Sequence, residues 1–174
     1  AVKIRADWSR ASHRPGWDEV KKAALLAWEG YLTSVPFMCI ENMSITGIPR
    51  DQLEKLASIV NRGVWINNMT HPDQLGSILV GVKCPWLSLW NMVLNETSTR
   101  ALVTAMDWVK YVWLWEVTLD IEELTQYDGQ GRCTALQVWR DKRYRHQRRL
   151  KAWAEDAGWT VTVDSDALLT CICI

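Results

Sequence analysis

The sequence predicts an α/β repeat solenoid, a horseshoe with a parallel β-sheet on its concave face and helices on its convex face. Three observations predict it. Six short β-type runs recur at a nearly constant period, helix-type apolar spacing fills most of the gaps between them, and twelve Trp stand against a single Phe. The remaining composition sets the frame: 174 residues, 48% apolar and 23% charged, the ordinary globular range, which argues against disorder. The length suits one domain or one repeat array. Twenty basic and twenty acidic residues cancel, so no global field recruits nucleic acid or an anionic membrane. No apolar run reaches the roughly 18–20 residues of a membrane-spanning helix, and the opening AVKIRADWSR does not read as a signal peptide.

The β-type runs are Met38–Met43, Val64–Met69, Leu87–Met92, Val112–Val117, Leu136–Asp141 and Val161–Asp166. The second aliphatic of each falls at 40, 66, 89, 114, 138 and 163, giving spacings of 26, 23, 25, 24 and 25. Self-similarity at such a period marks a stack of supersecondary units, none of which can bury its apolar face alone.

Helices fill the intervals in order. Residues 18–31 carry Val20, Ala23, Ala24 and Ala27, and Val2-Lys3-Ile4 ahead of them is a candidate first strand. Three further helices follow the i, i+3, i+4, i+7 pattern: Leu53, Leu56, Ala57, Val60; Leu75, Ile78, Leu79, Val82; and Leu102, Ala105, Met106, Val109. Residues 120–127 give a shorter and weaker helix, with only Ile121 and Leu124 in phase; Leu150, Trp153, Ala154 and Ala157 give the last. Pro49 can open one helix, Thr97 or Ser98 can cap another, and Gly158 follows the last.

The strand-then-helix unit of about 25 residues, with forms such as Leu87-x-Leu89-x-x-Met92-x-Leu94, Val112-x-Leu114-x-x-Val117-x-Leu119 and Met38-x-Ile40-x-x-Met43-x-Ile45, resembles a leucine-rich repeat. The true helices look most like the ribonuclease-inhibitor type, also carried by intracellular nucleotide-binding immune receptors. The sixth place holds Met or Val, and Asn sits one residue earlier, at Asn42, Asn68 and Asn91. The resemblance covers residues 37–166, with 1–36 as an N-terminal capping unit and 167–174 as a tail of one leucine-rich-repeat domain. It speaks for architecture and says little about ligand.

In L-x-L-x-x the aliphatics point to the core and the residues between and beside them to the concave face. Three columns result: Phe37, Gly63, Trp86, Tyr111, Ala135 and Thr160; Cys39, Trp65, Ser88, Trp113, Gln137 and Thr162; Glu41, Asn67, Trp90, Trp115, Trp139 and Asp164. Six Trp therefore share one sheet surface, an apolar patch larger than a monomer tolerates without a use, built from a residue enriched in binding hot spots. A one-residue slip would bury them only by exposing Ile66, Leu89, Leu114 and Val138; a covering segment, residues 1–16 or 167–174, lying across the patch is the other alternative. The other indoles, Trp8, Trp17, Trp28, Trp108, Trp153 and Trp159, read as packing on helices and loops.

Cys84 and Cys133 hold the place that Val109 fills in the intervening repeat, so they read as small buried hydrophobes. Cys39 falls on the concave face as a candidate free thiol, and Cys171-Ile-Cys173 lacks the second pair a zinc site needs. The absence of paired cysteine caps favours a reducing, cytoplasmic compartment. Sequons at Asn42, Asn68 and Asn95 point the other way, but two of them exist only because Asn recurs in the repeat.

Nothing reads as an enzyme. His13, His71 and His146 are scattered, Gly129-Gln130-Gly131 precedes a strand rather than a helix, and Asp120, Glu122 and Glu123 are first-turn acids suited to the helix dipole. No cofactor or metal is expected. Residues 140–151 hold seven Lys or Arg, a strip that reads first as a solvated helix face and second as a phosphate or nucleic-acid contact.

The expected function is protein recognition. Trp65, Trp86, Trp90, Trp113, Trp115 and Trp139, with Tyr111, would anchor a protein ligand, and Glu41, Asn67, Glu116, Arg140 and Asp164 would form the polar rim. The resemblance implies a ligand-sensing region of an immune receptor. Variable concave columns on a constant framework also fit a selected binder. A homodimer through the same face is the alternative in the structural class.

Overall fold

The computed structural model describes residues 15–69, 74–127, 133–139, 144–163 and 169–173. Helices and strands alternate: α1 (Trp17–Trp28), β1 (Val35–Glu41), α2 (Arg50–Ser58), β2 (Val60–Asn67), α3 (Leu75–Gly81), β3 (Trp86–Val93), α4 (Glu96–Ala105), β4 (Tyr111–Thr118), α5 (Ile121–Leu124), β5 (Ala135–Trp139), α6 (Tyr144–Asp156), β6 (Trp159–Val163) and β7 (Leu169–Cys173). One seven-stranded sheet runs β1-β2-β3-β4-β5-β7-β6. Its first five strands are parallel and in the register that the period predicts.

Two inward rows follow from that register. Met38, Val64, Leu87, Val112 and Leu136 form one; Ile40, Ile66, Leu89, Leu114 and Val138 form the other. All ten are buried and join one core with the apolar stripes of the helices, such as Leu53, Leu56, Ile78, Leu79 and Leu102. Near-continuous burial of aliphatics behind parallel strands is what helix-covered sheets require.

The x-x step in each repeat has a backbone cause. Asn42, Asn68 and Asn91 sit at φ 52° and Glu116 at φ 51°, the left-handed region that Asn tolerates better than other side chains. The kink acts as a bulge: simple alternation would send the next residue outward, whereas Met69, Met92 and Val117 are buried and Met43 packs against the core. Neighbouring strands lock it, with the Asn42 amide donating to the Asn67 carbonyl (3.0 Å) and the Asn68 amide to the Trp90 carbonyl (2.9 Å). The recurrent Asn is therefore a backbone requirement of the repeat.

Helix ends follow local chemistry, with small departures from expectation. Pro49 does open α2, at φ −58°. Asn95, rather than Thr97 or Ser98, caps α4; its side chain accepts from the Ser98 amide at 2.9 Å while the Ser98 hydroxyl accepts from the Asn95 amide at 2.9 Å. Val60, expected in the last turn of a helix, opens β2 opposite Val35. Gly81 lets α3 approach α2: a Cβ there would lie 2.2 Å from the Glu54 carbonyl oxygen. Cys84, Val109 and Cys133 are all buried, and the two thiols point at the carbonyls of Trp86 (3.3 Å) and Ala135 (3.6 Å). Burial pushes the Cys84 thiol up to about 11.

The C-terminal part corrects two expectations. The run around Val161 is not a sixth parallel neighbour of β5, and Leu169–Cys173, within the expected tail, form a strand. β7 lies between β5 and β6 and is antiparallel to both, pairing Leu136 with Cys171 and Val161 with Cys171. β7 therefore takes the edge of β5 at which a sixth parallel strand would have paired. Val2-Lys3-Ile4 lies outside the described residues.

Candidate functional site

The outward rows bring most of the expected residues together. Phe37, Gly63, Trp86, Tyr111 and Ala135 stand in register across β1–β5. Cys39, Trp65, Ser88, Trp113 and Gln137 form the second row, and Glu41, Asn67, Trp90, Trp115 and Trp139 the third. Register places Trp139 beside Trp115; Arg140 and Asp164 lie outside the described residues. Thr160 and Thr162, expected beside Ala135 and Gln137, instead stand beyond β7, opposite Ile172 and Thr170.

The indoles are neither flat on solvent nor sealed in the core. Trp86 is 36% exposed and Tyr111 41%, while Trp65, Trp90, Trp113 and Trp115 are half-buried, largely against one another. Trp90 stacks on Trp115 at 5.1 Å between ring centroids with planes 23° apart, and Trp65 meets Trp90 at 5.6 Å, tilted by 41°. Trp86 meets Trp113 edge-on at 4.7 Å. Offset and edge contacts at these distances each stabilise by about 0.5–1.5 kcal/mol beyond area burial, so the platform is partly pre-ordered. The Trp90 indole N–H donates to the Ser88 hydroxyl, fixing that ring over its own strand.

Small residues between the large ones make this possible, and sequence reasoning passed over them. Gly63 leaves space for the Phe37 ring, whose Cδ1 lies 3.2 Å from where a Cβ would stand. Ser88 and Cys39 are 5% and 2% exposed, so Cys39 is no accessible thiol; both lie among the aromatic side chains that line one hollow. The signal that could have found these residues is the alternation of small and large along two rows: Cys39, Trp65, Ser88, Trp113 in the middle one and Phe37, Gly63, Trp86 in the first.

The two ends of the strands differ in charge. Arg62, Lys83 and Lys110 are exposed before the open-face residues of β2, β3 and β4. Lys110 Nζ lies 5.5 Å from the Tyr111 ring centre, and Lys83 Nζ lies 4.3 Å from that of Trp108. The opposite end carries Glu41 and Glu116 with a ladder of amides. Asn67 donates to Glu41 (3.1 Å), Asn91 to Asn67 (3.1 Å) and Asn68 to Asn42 (2.9 Å). Trp28 and Trp108, expected as packing, are exposed at 53% and 44%; Trp28 ends α1 and Trp108 lies in the turn between α4 and β4.

No protein family, curated protein sequence or solved structure matches the chain. No helix among the described residues is long and apolar enough to cross a membrane.

Proposed function

We propose that this chain is a protein-recognition module of the leucine-rich-repeat kind, which binds its partner on the open face of β1–β5. One observation carries the reading: five aromatic side chains, Trp65, Trp86, Trp90, Trp113 and Trp115, share one face of the sheet and contact one another while remaining partly open to solvent. An apolar surface of that kind costs free energy in water until something covers it, and Trp is among the residues whose burial most often dominates an interface. The strand-helix repeat supports the same reading, since stacked units present one extended surface to ligands. Glu41, Asn67 and Glu116 lie at the edge of the platform and supply orientation rather than most of the affinity.

The test is selection of displayed random peptides on the parent, followed by affinity measurement against Trp86→Thr/Trp113→Thr. Binders that lose at least tenfold in affinity for the variant support the reading. Failure to select binders, or binders indifferent to the variant, contradicts it. A solution mass of about 40 kDa, twice the 20.1 kDa chain, that reverts in the variant would give the face to a second copy instead.

A further inference from the structure

Ser88 stands at the crossing of four indoles. Trp86 and Trp90 flank it two residues away on the same face of β3, and Trp65 and Trp113 are its register partners on β2 and β4. Neighbours at about 4.8 Å across strands and about 6.8 Å along one put four large rings around a hydroxymethyl group. The volume that Ser88 leaves unfilled joins that left by Gly63 and Cys39. Together they floor a hollow of about 320 Å³ walled by Phe37, Trp65, Trp86, Trp90 and Trp113.

The chemistry of the hollow restricts what enters it. Among the described residues no carboxylate, ammonium or guanidinium lines it, and the Ser88 hydroxyl already accepts from Trp90. A carboxylate would lose its hydration there without a counter-charge, whereas an apolar side chain is stabilised by the surface it buries. The volume lies at the lower end of the roughly 300–1,000 Å³ range of ligand pockets, enough for one large side chain. Charge along the strands orients whatever carries that side chain: exposed Arg62, Lys83 and Lys110 precede the lining residues Gly63 and Trp86 and the register partner Tyr111 in sequence, and Glu41 and Glu116 follow the open-face residues of β1 and β4.

We infer that the hollow over Ser88 is the anchor socket of the face, taking one uncharged ring-bearing or branched side chain of a protein partner whose acidic residues lie toward Arg62, Lys83 and Lys110. The inference rests on the recognition reading above and names the chemistry of the partner. Free energy of association concentrates in such central, desolvated pockets, while rim charges set orientation and rate.

The experiment sequences the peptides selected on the parent and measures each against two fillings of the hollow, Ser88→Leu and, in a separate chain, Cys39→Leu, with folding checked by circular dichroism. A third variant, Lys83→Glu/Lys110→Glu, leaves the hollow intact. The expected peptides share one Trp, Phe, Leu or Met position and Asp or Glu to one side of it. They lose at least tenfold in affinity for whichever filled variant folds. They lose about fivefold for the charge reversal, and less than that in 0.5 M NaCl. A fixed Lys or Arg at the anchor position overturns the socket by making the indole faces a cation site. Peptides that need Trp86 and Trp113 but ignore both fillings overturn the socket and leave the recognition face standing. Failure to select any binder removes both.

Discussion

Asn68 donates a side-chain hydrogen bond of 2.9 Å to Asn42, and both residues hold the same left-handed backbone at φ 52°. Each occupies the kink that turns the next residue of its repeat back into the core. Asn91 repeats the conformation in β3, but β4 uses Glu116 at φ 51°, and a longer side chain is less suited than Asn to the left-handed backbone. Glu116→Asn should therefore raise stability by about 0.5–1 kcal/mol, or about 1–4 °C in melting temperature for a chain of this size. Urea denaturation checks it. A variant no more stable than the parent would show that contacts of the Glu116 side chain outweigh its backbone strain.

Gly81 inverts a common rule. Exchanging a glycine for alanine inside a helix ordinarily stabilises by about 0.5–1 kcal/mol. Here the new methyl would lie 2.2 Å from the Glu54 carbonyl oxygen and 2.9 Å from its carbon, both backbone atoms of the neighbouring helix. Gly81→Ala should cost about 1–3 kcal/mol by forcing α3 away from α2. A neutral or stabilising result in thermal denaturation would mean that the two helices have room to part.

Cys84 gives a pH dependence of defined sign. Burial holds its thiol at about 11 against an ordinary 9.0. Between those values the unfolded chain has lost the proton and the folded chain keeps it. The stabilisation is therefore complete below pH 9 and is lost as pH rises toward 11, by about 2–3 kcal/mol. Cys84→Val, which copies Val109 of the intervening repeat, should flatten stability over that window. Equal slopes in parent and variant would place the titration elsewhere. In the native state, alkylation of Cys84 at pH 8 should proceed only as fast as local opening allows.

The five parallel strands were legible because one aliphatic period governs both the inward rows and the register. Ile40, Ile66, Leu89, Leu114 and Val138 are spaced in sequence as they are aligned in space. The reversal after β6 was not legible by the same signal, since Val161-Thr162-Val163 alternates equally well beside a parallel or an antiparallel neighbour. Its signal was connection length. Only five residues separate Val163 from Leu169, enough for a hairpin and too few for a parallel crossover. At the site, alternation put Trp65, Trp86, Trp90, Trp113 and Trp115 on the face away from the buried aliphatics. It could not show that Ser88, Gly63 and Cys39 make a hollow, because that depends on how far each indole leans over its small neighbour.

If the indoles of the open face serve a partner rather than the fold, losing two of them should leave the fold standing. The melting temperature of Trp86→Thr/Trp113→Thr decides this when set beside the parent and beside Leu89→Ala, which empties a site in the inward row. Thr keeps β-propensity on an exposed face, whereas truncating a buried Leu costs about 2–5 kcal/mol. At roughly 2–4 °C per kcal/mol, Leu89→Ala should melt about 4–20 °C below the parent. The double Trp variant is expected to give a cooperative melt no lower than that of Leu89→Ala. A double variant that fails to fold, or that melts well below Leu89→Ala, would contradict the recognition reading by showing that these two rings hold the molecule together.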